Sequence, residues 1–414
     1  MRIVLRETFD RYPSLYPLRD LSIVFCGFEL ENPFILSAAP STDELDIVRR
    51  GLEMGWAGAV LKTTSMPGTS VSLTYPLMTG WRAGDHRLLG MGNIDLISVY
   101  PIDEIVSRVK VLKKEFPRKL IAASIMGQSK QAWQTLAATL RKAGADLIEC
   151  SFSCPQGSMG EEPGKMLAQS VEATERVARW VKEAADTTPV LIKITPLVTD
   201  IADIARAVER AGCDGVTAAN SFPSLMGVNL QTFVPEPNIG GYSTFSGYTG
   251  PAIEPLTLYA VAKIAQATRL AISGNGGISN WQNAAEVMAV GAGCVQLCTA
   301  VMHYGFQIID DLTSGLSHLL DETGLANVSE LVGRALPNLR DHDSLPHQKV
   351  RSHINEQTCI RCNVCYVACR DGGHMAIEYR GQEQVPRVLD EKCVGCGLCA
   401  QVCPVVDCVA MELL

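Results

Sequence analysis

Eight cysteines near the C-terminus fall into two copies of one spacing. Cys359, Cys362, Cys365 and Cys369 read C-x2-C-x2-C-x3-C, and Cys393, Cys396, Cys399 and Cys403 repeat it, with Pro404 after the last. This spacing holds a pair of [4Fe–4S] cubanes in which the fourth cysteine of each run ligates the other cluster. Cys359, Cys362, Cys365 and Cys403 are therefore expected to share one cubane, and Cys393, Cys396, Cys399 and Cys369 the second. Zinc sites pair two C-x2-C knuckles across a spacer and lack the third thiolate and the C-P ending, so zinc and a disulfide knot fit less well. Two clusters move electrons singly, and the rest of the chain must explain where those electrons go.

A second set of candidates stands at the ends of apolar runs. In order these ends are Ser37-Ala38-Ala39-Pro40, Lys62-Thr63, Ser153-Cys154-Pro155, Lys193, Asn220-Ser221, Gly276-Gly277 and Cys298-Thr299. Lys62 and Lys193 each end an otherwise apolar stretch, where a buried ammonium needs a partner. One partner is a flavin, whose reduced form gains negative charge at its N1–C2=O edge; the other is a structural carboxylate. Gly276-Gly277 lets backbone N–H groups approach a phosphate, with Cys298-Thr299 beside it and the loop Gly247-Tyr248-Thr249-Gly250 completing the cradle. Otherwise the glycine pair is a tight turn. Cys154 opens a loop containing Gly157, Gly160 and Gly164, flexible enough to serve as a lid. Its thiol could pass the proton that accompanies hydride transfer, or be a small buried hydrophobe.

The elements that would position these groups recur regularly. Short apolar runs lie at Pro33–Ala39, Gly58–Thr64, Leu120–Met126, Leu147–Phe152, Val190–Ile194, Gly215–Asn220, Ala271–Gly276 and Cys294–Ala300. Each reads as a strand buried on both faces. Between them, Asp43–Met54, Gln131–Lys142, Val171–Ala184 and Ile201–Ala211 carry apolar residues at helical intervals. Eight βα units predict an α/β fold, a closed (β/α)8 TIM barrel with its active site at the strands' C-terminal ends. Residues 21–34 read as a hairpin closing the barrel's lower end, and 303–334 as a helical tail. The expected organisation is a barrel over 1–334, a linker over 335–351 and a bacterial-ferredoxin-like two-cluster domain over 352–414.

Composition narrows the setting. The 414 residues are 47% apolar and 19% charged, ordinary for a globular protein with a large interior. A net charge of -8 and a pI near 5.5 argue against nucleic acid or an anionic membrane as partner. No apolar run approaches bilayer length, and MRIVLRETFDRY has no secretory h-region. Fifteen cysteines without a leader suit a reducing cytoplasm. No G-x-G-x-x-G follows a strand, so a nicotinamide site is not expected on this chain.

The segments SAAP, LKT, ASIM, IEC-x-F-SCP, IKITPLVTDI, GVTAANS, GYTGPAIEP and GNGGI resemble the flavin domain of dihydropyrimidine dehydrogenases, especially the bacterial catalytic subunit, itself related to dihydroorotate dehydrogenases. The resemblance covers about residues 20–320 and again 352–410. It implies FMN in the barrel, two [4Fe–4S] clusters relaying electrons, and reduction of the 5,6-double bond of uracil or thymine, with NAD(P)H oxidised by a partner flavoprotein subunit. A homodimer within a hetero-oligomer is expected. By position, Cys154 matches the catalytic cysteine, assisted by Lys62 and Lys193. Ser37, Lys62, Lys193, Gly277, Cys298 and Thr299 match FMN contacts, and Ala38, Thr63, Asn220, Gly250 and Gly276 are expected to border the same cofactor. Asn93, Asn220 and Ser221 match the substrate side, where amides suit a ring with alternating C=O and N–H groups, and Asp95 and Ser151 are expected on the same side. Two positions depart from the pattern: Ser151 replaces an asparagine, and Asp95 stands where the mammalian enzyme has glutamate. These departures point to a non-pyrimidine ring, an enone or dihydroorotate as the alternative substrate. An electron-relay subunit whose barrel is a vestigial scaffold is the alternative of another class.

Overall fold

The computed structural model describes residues 19–68, 71–84, 88–152 and 167–414. The chain divides into two units, one ending at Asn338 and the other beginning at Leu339.

In the first unit the eight apolar runs form eight parallel strands: β1 (Phe34–Leu36), β2 (Gly58–Thr64), β3 (Leu120–Ile125), β4 (Leu147–Ser151), β5 (Val190–Lys193), β6 (Gly215–Ala218), β7 (Ala271–Asn275) and β8 (Cys294–Leu297). They close in sequence order, β8 pairing β1 through Val295–Phe34 and Gln296–Ile35. Nearly every residue of these strands is buried, which is why they read as continuous apolar runs rather than alternating ones. Several are shorter than their apolar runs. β1 stops at Leu36 because Ser37–Pro40 turn into a 3-10 segment over Pro40–Thr42, and β8 stops at Leu297 because Thr299 begins the helix Thr299–Tyr304.

Helices return the chain between strands, and the starts of four of them are capped by side chains. Ser129 accepts from the Ala132 amide, Ser170 from Ala173, Asp200 from Ala202 and Asn280 from Asn283. The tail supplies Ile308–Thr323, whose Leu312, Leu316 and Leu320 are fully buried at helical spacing. The hairpin Ile23–Phe25/Phe28–Leu30 turns on Cys26-Gly27, both at positive φ, as a two-residue connection requires. A Cβ on Gly293, just before β8, would lie 3.3 Å from the Phe25 ring, which places the hairpin at the lower end of the barrel.

Over the upper end lies a four-stranded antiparallel sheet, Phe222–Ser224, Ser246–Thr249, Leu88–Asn93 and Met78–Arg82 in spatial order. Gly247-Tyr248-Thr249, read from sequence as loop, is one of its strands.

The second unit pairs Val350–Ile354 with Val409–Leu413 and Ile377–Glu378 with Arg387–Val388. Its strand Val350–Ile354 starts inside the segment expected to be linker. Residues 335–338 instead belong with the barrel, where the Ala335 amide donates to the Ala289 carbonyl. Two short helices, Val364–Gly372 and Leu398–Val402, each follow the start of a cysteine run. No helix among the described residues is long and apolar enough to cross a membrane.

Candidate functional site

A cavity of about 490 Å³ opens at the C-terminal ends of the strands, within the range of small-molecule sites. The turn after β1 brings Ser37 and Ala38 to its lining, and the C-terminal ends of β2 and β5 bring Lys62, Thr63 and Lys193. The loops after β6, β7 and β8 add Asn220, Ser221, Gly276, Gly277, Cys298 and Thr299, and the capping sheet adds Asn93 and, just past its end, Gly250. Asp95 and Ser151 complete the set. All the expected barrel residues except Cys154 therefore line one cavity; Cys154 lies outside the described residues.

Both lysines are buried and both have carboxylate partners. Lys62 Nζ is 3.1 Å from Asp95 Oδ1, 3.0 Å from Asp95 Oδ2 and 3.7 Å from Asp43 Oδ2. Burial pushes the Asp95 carboxyl above its ordinary value, and the nearby Lys62 opposes that rise. Lys193 Nζ donates to Ser37 Oγ at 3.1 Å and lies 3.8 Å from Glu149 Oε1. Glu149 is completely buried; its Oε2 accepts from Thr217 Oγ1 at 2.7 Å and Gln296 Nε2 at 2.8 Å. These three residues come from β4, β6 and β8, one alternate-strand layer of the barrel interior. Sequence reasoning passed over Glu149, although a carboxylate inside an apolar strand is the same signal that marked the lysines. Asp43 gave no such signal.

The glycine corner is built for close approach. Gly276 and Gly277 have φ of +122° and +80°. A Cβ on Gly276 would meet Thr257 Oγ1 at 2.6 Å, and one on Gly277 would meet the Glu254 amide nitrogen at 2.4 Å. Only glycine fits both the dihedrals and the space. Glu254, at the start of the helix Glu254–Ala267, has its carboxyl raised to about 7 by burial and by Glu286 beside it. Thr299 Oγ1 donates to Thr249 Oγ1 at 2.9 Å, tying the turn after β8 to the capping sheet. Burial raises the Cys298 thiol, with Lys193 pulling the other way. On the opposite wall Asn93 Nδ2 donates to the Gly247 carbonyl at 2.9 Å, leaving its second donor and its oxygen for a ring. A cavity with cations, glycine amides and amide side chains fits a flavin phosphate, its ring and a flat polar substrate.

In the second unit a smaller cavity is lined by Cys393, Cys396 and Cys399 together with Cys369 from the other run. Backbone amides point at the sulfurs: Ala376 N donates to Cys369 Sγ at 3.3 Å, Ser352 N to Cys393 Sγ at 3.5 Å and Arg361 N to Cys359 Sγ at 3.4 Å. Such donors stabilise thiolate-bound clusters, so these residues fit a cubane. Cys408, outside both runs, is a buried member of this unit's core. Cys150, Cys213 and Cys294 are likewise buried, as small hydrophobes.

Residues 20–320 match the family model described as dihydroorotate dehydrogenase, and residues 352–411 match that of a 4Fe-4S dicluster domain. The NAD-dependent dihydropyrimidine dehydrogenase subunit PreA of Escherichia coli K12 is 38% identical over 395 residues, 94% of each chain. This chain belongs to the dihydroorotate dehydrogenase family, among its dihydropyrimidine dehydrogenase-like FMN and iron–sulfur oxidoreductases. The chloroplastic dihydropyrimidine dehydrogenase (NADP(+)) of Arabidopsis thaliana is 32% identical over 338 residues, 79% of each chain. The catalytic subunit of dihydroorotate dehydrogenase B (NAD(+)) of Pyrococcus abyssi is 30% identical over 323 residues, 76% of this chain and 99% of that one. As a member of this family the chain is an oxidoreductase acting on CH–CH bonds, with FMN and two [4Fe–4S] clusters as cofactors.

Proposed function

We propose that this protein reduces the 5,6-double bond of a pyrimidine such as uracil or thymine, with electrons from NAD(P)H delivered by a partner flavoprotein through the two clusters. The observation that carries the reading is the shared cavity. Asn93, Asn220, Ser221 and Asp95 line it together with two buried lysines and the Gly276-Gly277 corner, in a chain that also bears the dicluster unit.

FMN, when bound, supplies a hydride to one carbon of the activated bond. Gly276, Gly277 and Thr299 hold its phosphate, while Ser37, Lys62, Thr63 and Lys193 border its ring. A lysine ammonium at that ring stabilises the negative charge of the reduced form. Asn93, Asn220 and Ser221 orient the substrate through donor and acceptor pairs. Cys154, three residues beyond the cavity-lining Ser151, gives the proton to the neighbouring carbon. Cys359, Cys362, Cys365 and Cys403 hold one cluster, and Cys393, Cys396, Cys399 and Cys369 the other. The partner flavoprotein supplies the nicotinamide site, and the protein works as a homodimer within that complex in a reducing cytoplasm.

One observation favours a second reading. Ser151 lines the cavity where the resemblance has asparagine, and a hydroxyl cannot make an amide's paired contact with a pyrimidine edge. The same chemistry on another ring or enone, dihydroorotate included, is the alternative. An anaerobic assay of the reduced protein against uracil, thymine, orotate and related lactams separates the two. The first reading expects dihydrouracil or dihydrothymine as product; turnover of orotate or of a non-pyrimidine, with uracil and thymine inert, supports the second.

A further inference from the structure

The two buried lysines keep different company. Lys193 faces one carboxylate, Glu149 at 3.8 Å, and donates to a neutral hydroxyl. Lys62 lies between two carboxylates, Asp95 at 3.0 Å and Asp43 at 3.7 Å. The Lys62, Asp95 and Asp43 side chains are only 7%, 10% and 13% exposed, so solvent screens them weakly. One ammonium against two carboxylates leaves this wall with an excess negative charge, whereas Lys193 and Glu149 balance.

Asp43 does not line the cavity but is held firmly from behind. Ser98 Oγ donates to Asp43 Oδ1 at 2.6 Å, and the Ser98 amide is itself anchored on the Thr63 carbonyl at 2.8 Å. The Arg108 guanidinium reaches the Asp43 backbone carbonyl. A structural ion pair for Lys62 needs only Asp95, which already offers both oxygens. A second carboxylate fixed nearby adds repulsion with Asp95 as well as attraction to the ammonium.

We propose that Asp43 is a positioning residue acting through Lys62: it pins the ammonium against the Asp95 wall and offsets the positive potential this lysine presents to the flavin. Lys193 is then the cation that chiefly stabilises the reduced cofactor. The inference rests on the proposed reading that both lysines border the FMN ring.

The test is anaerobic potentiometric titration of the flavin in the holoprotein carrying Asp43→Asn. Asparagine keeps the size of the side chain and the acceptor for Ser98. Removing an anion favours the more negatively charged reduced flavin, so the midpoint potential moves positive with FMN content unchanged. Lys193→Met moves it negative, by more than Lys62→Met does. An Asp43→Asn potential equal to that of the parent overturns the proposal. If Asp43→Asn does not fold or sheds FMN, Asp43→Ser carries the test, with a positive shift expected and no shift overturning it. Where neither lysine variant alters FMN content or potential, the placement of FMN fails and the proposal with it. Where the lysine variants respond and Asp43→Asn does not, only the assignment of Asp43 falls.

Discussion

Lys193 and Glu149 face one another inside the barrel, Nζ 3.8 Å from Oε1, one at the end of β5 and the other in the middle of β4. Glu149 Oε1 has no hydrogen-bond partner of its own, so the lysine charge is its principal compensation. Removing one partner of a buried pair strands the other charge, at a typical cost of about 3–5 kcal/mol. Glu149→Gln should therefore lower unfolding stability by that order and loosen FMN, as denaturant titration with flavin fluorescence will show. A variant as stable as the parent would mean that solvent or the cofactor compensates Lys193 instead.

Glu254 gives the barrel a pH dependence of known sign. Its carboxyl titrates at about 7 in the folded protein against an ordinary 4.5. The folded state thus holds the proton more tightly than the unfolded one. The associated stability is complete below pH 4.5 and is lost as pH rises through 7. Thermal melts of Glu254→Gln should lose part of the decline seen in the parent over that window. Matching pH profiles would show that burial beside Glu286 leaves Glu254 unperturbed.

Cys369 lines the cavity of the second cysteine run rather than closing on its own. Cys369→Ala should cost the cubane of Cys393, Cys396 and Cys399, lowering iron from about eight to about four atoms per chain. Iron and acid-labile sulfide analysis after anaerobic purification is the check, and unchanged iron would contradict the cross-ligated arrangement.

Cys154→Ala should lower turnover by about 10²- to 10⁴-fold, the usual contribution of a positioned general acid, while flavin and iron content stay at parental levels. Steady-state assay beside cofactor quantification separates this from misfolding.

Ser151→Asn should raise kcat/KM for uracil relative to other rings by roughly fivefold, for one net hydrogen bond of about 1 kcal/mol. Competition assays measure the ratio directly. A fall in that ratio would mark Ser151 as fitted to a different substrate.

The barrel was legible because its strands are buried on both faces and so appear as eight apolar runs broken by helical periodicity. The capping sheet was not. Met78–Arg82 is half to fully exposed with no alternation, and the glycines around Tyr248 read as punctuation although Gly247 and Thr249 pair with Asn93 and Met91. The cluster ligands stood out by spacing alone, since their chemistry is local in sequence. Lys62 and Lys193 were visible as charges in apolar strands, but their carboxylate partners were not. Asp43 and Asp95 reach Lys62 from separate loops, and Glu149 reaches Lys193 across neighbouring strands. Those are tertiary pairings that no residue spacing encodes.

The most direct measurement is a single-turnover reaction. The anaerobically purified protein, fully reduced at its flavin and clusters, is mixed with uracil or thymine while flavin absorbance is followed. The account predicts reoxidation of the flavin, with the dihydropyrimidine formed in step. A protein that carries no FMN, or whose reduced flavin is reoxidised by neither uracil nor thymine, would contradict it.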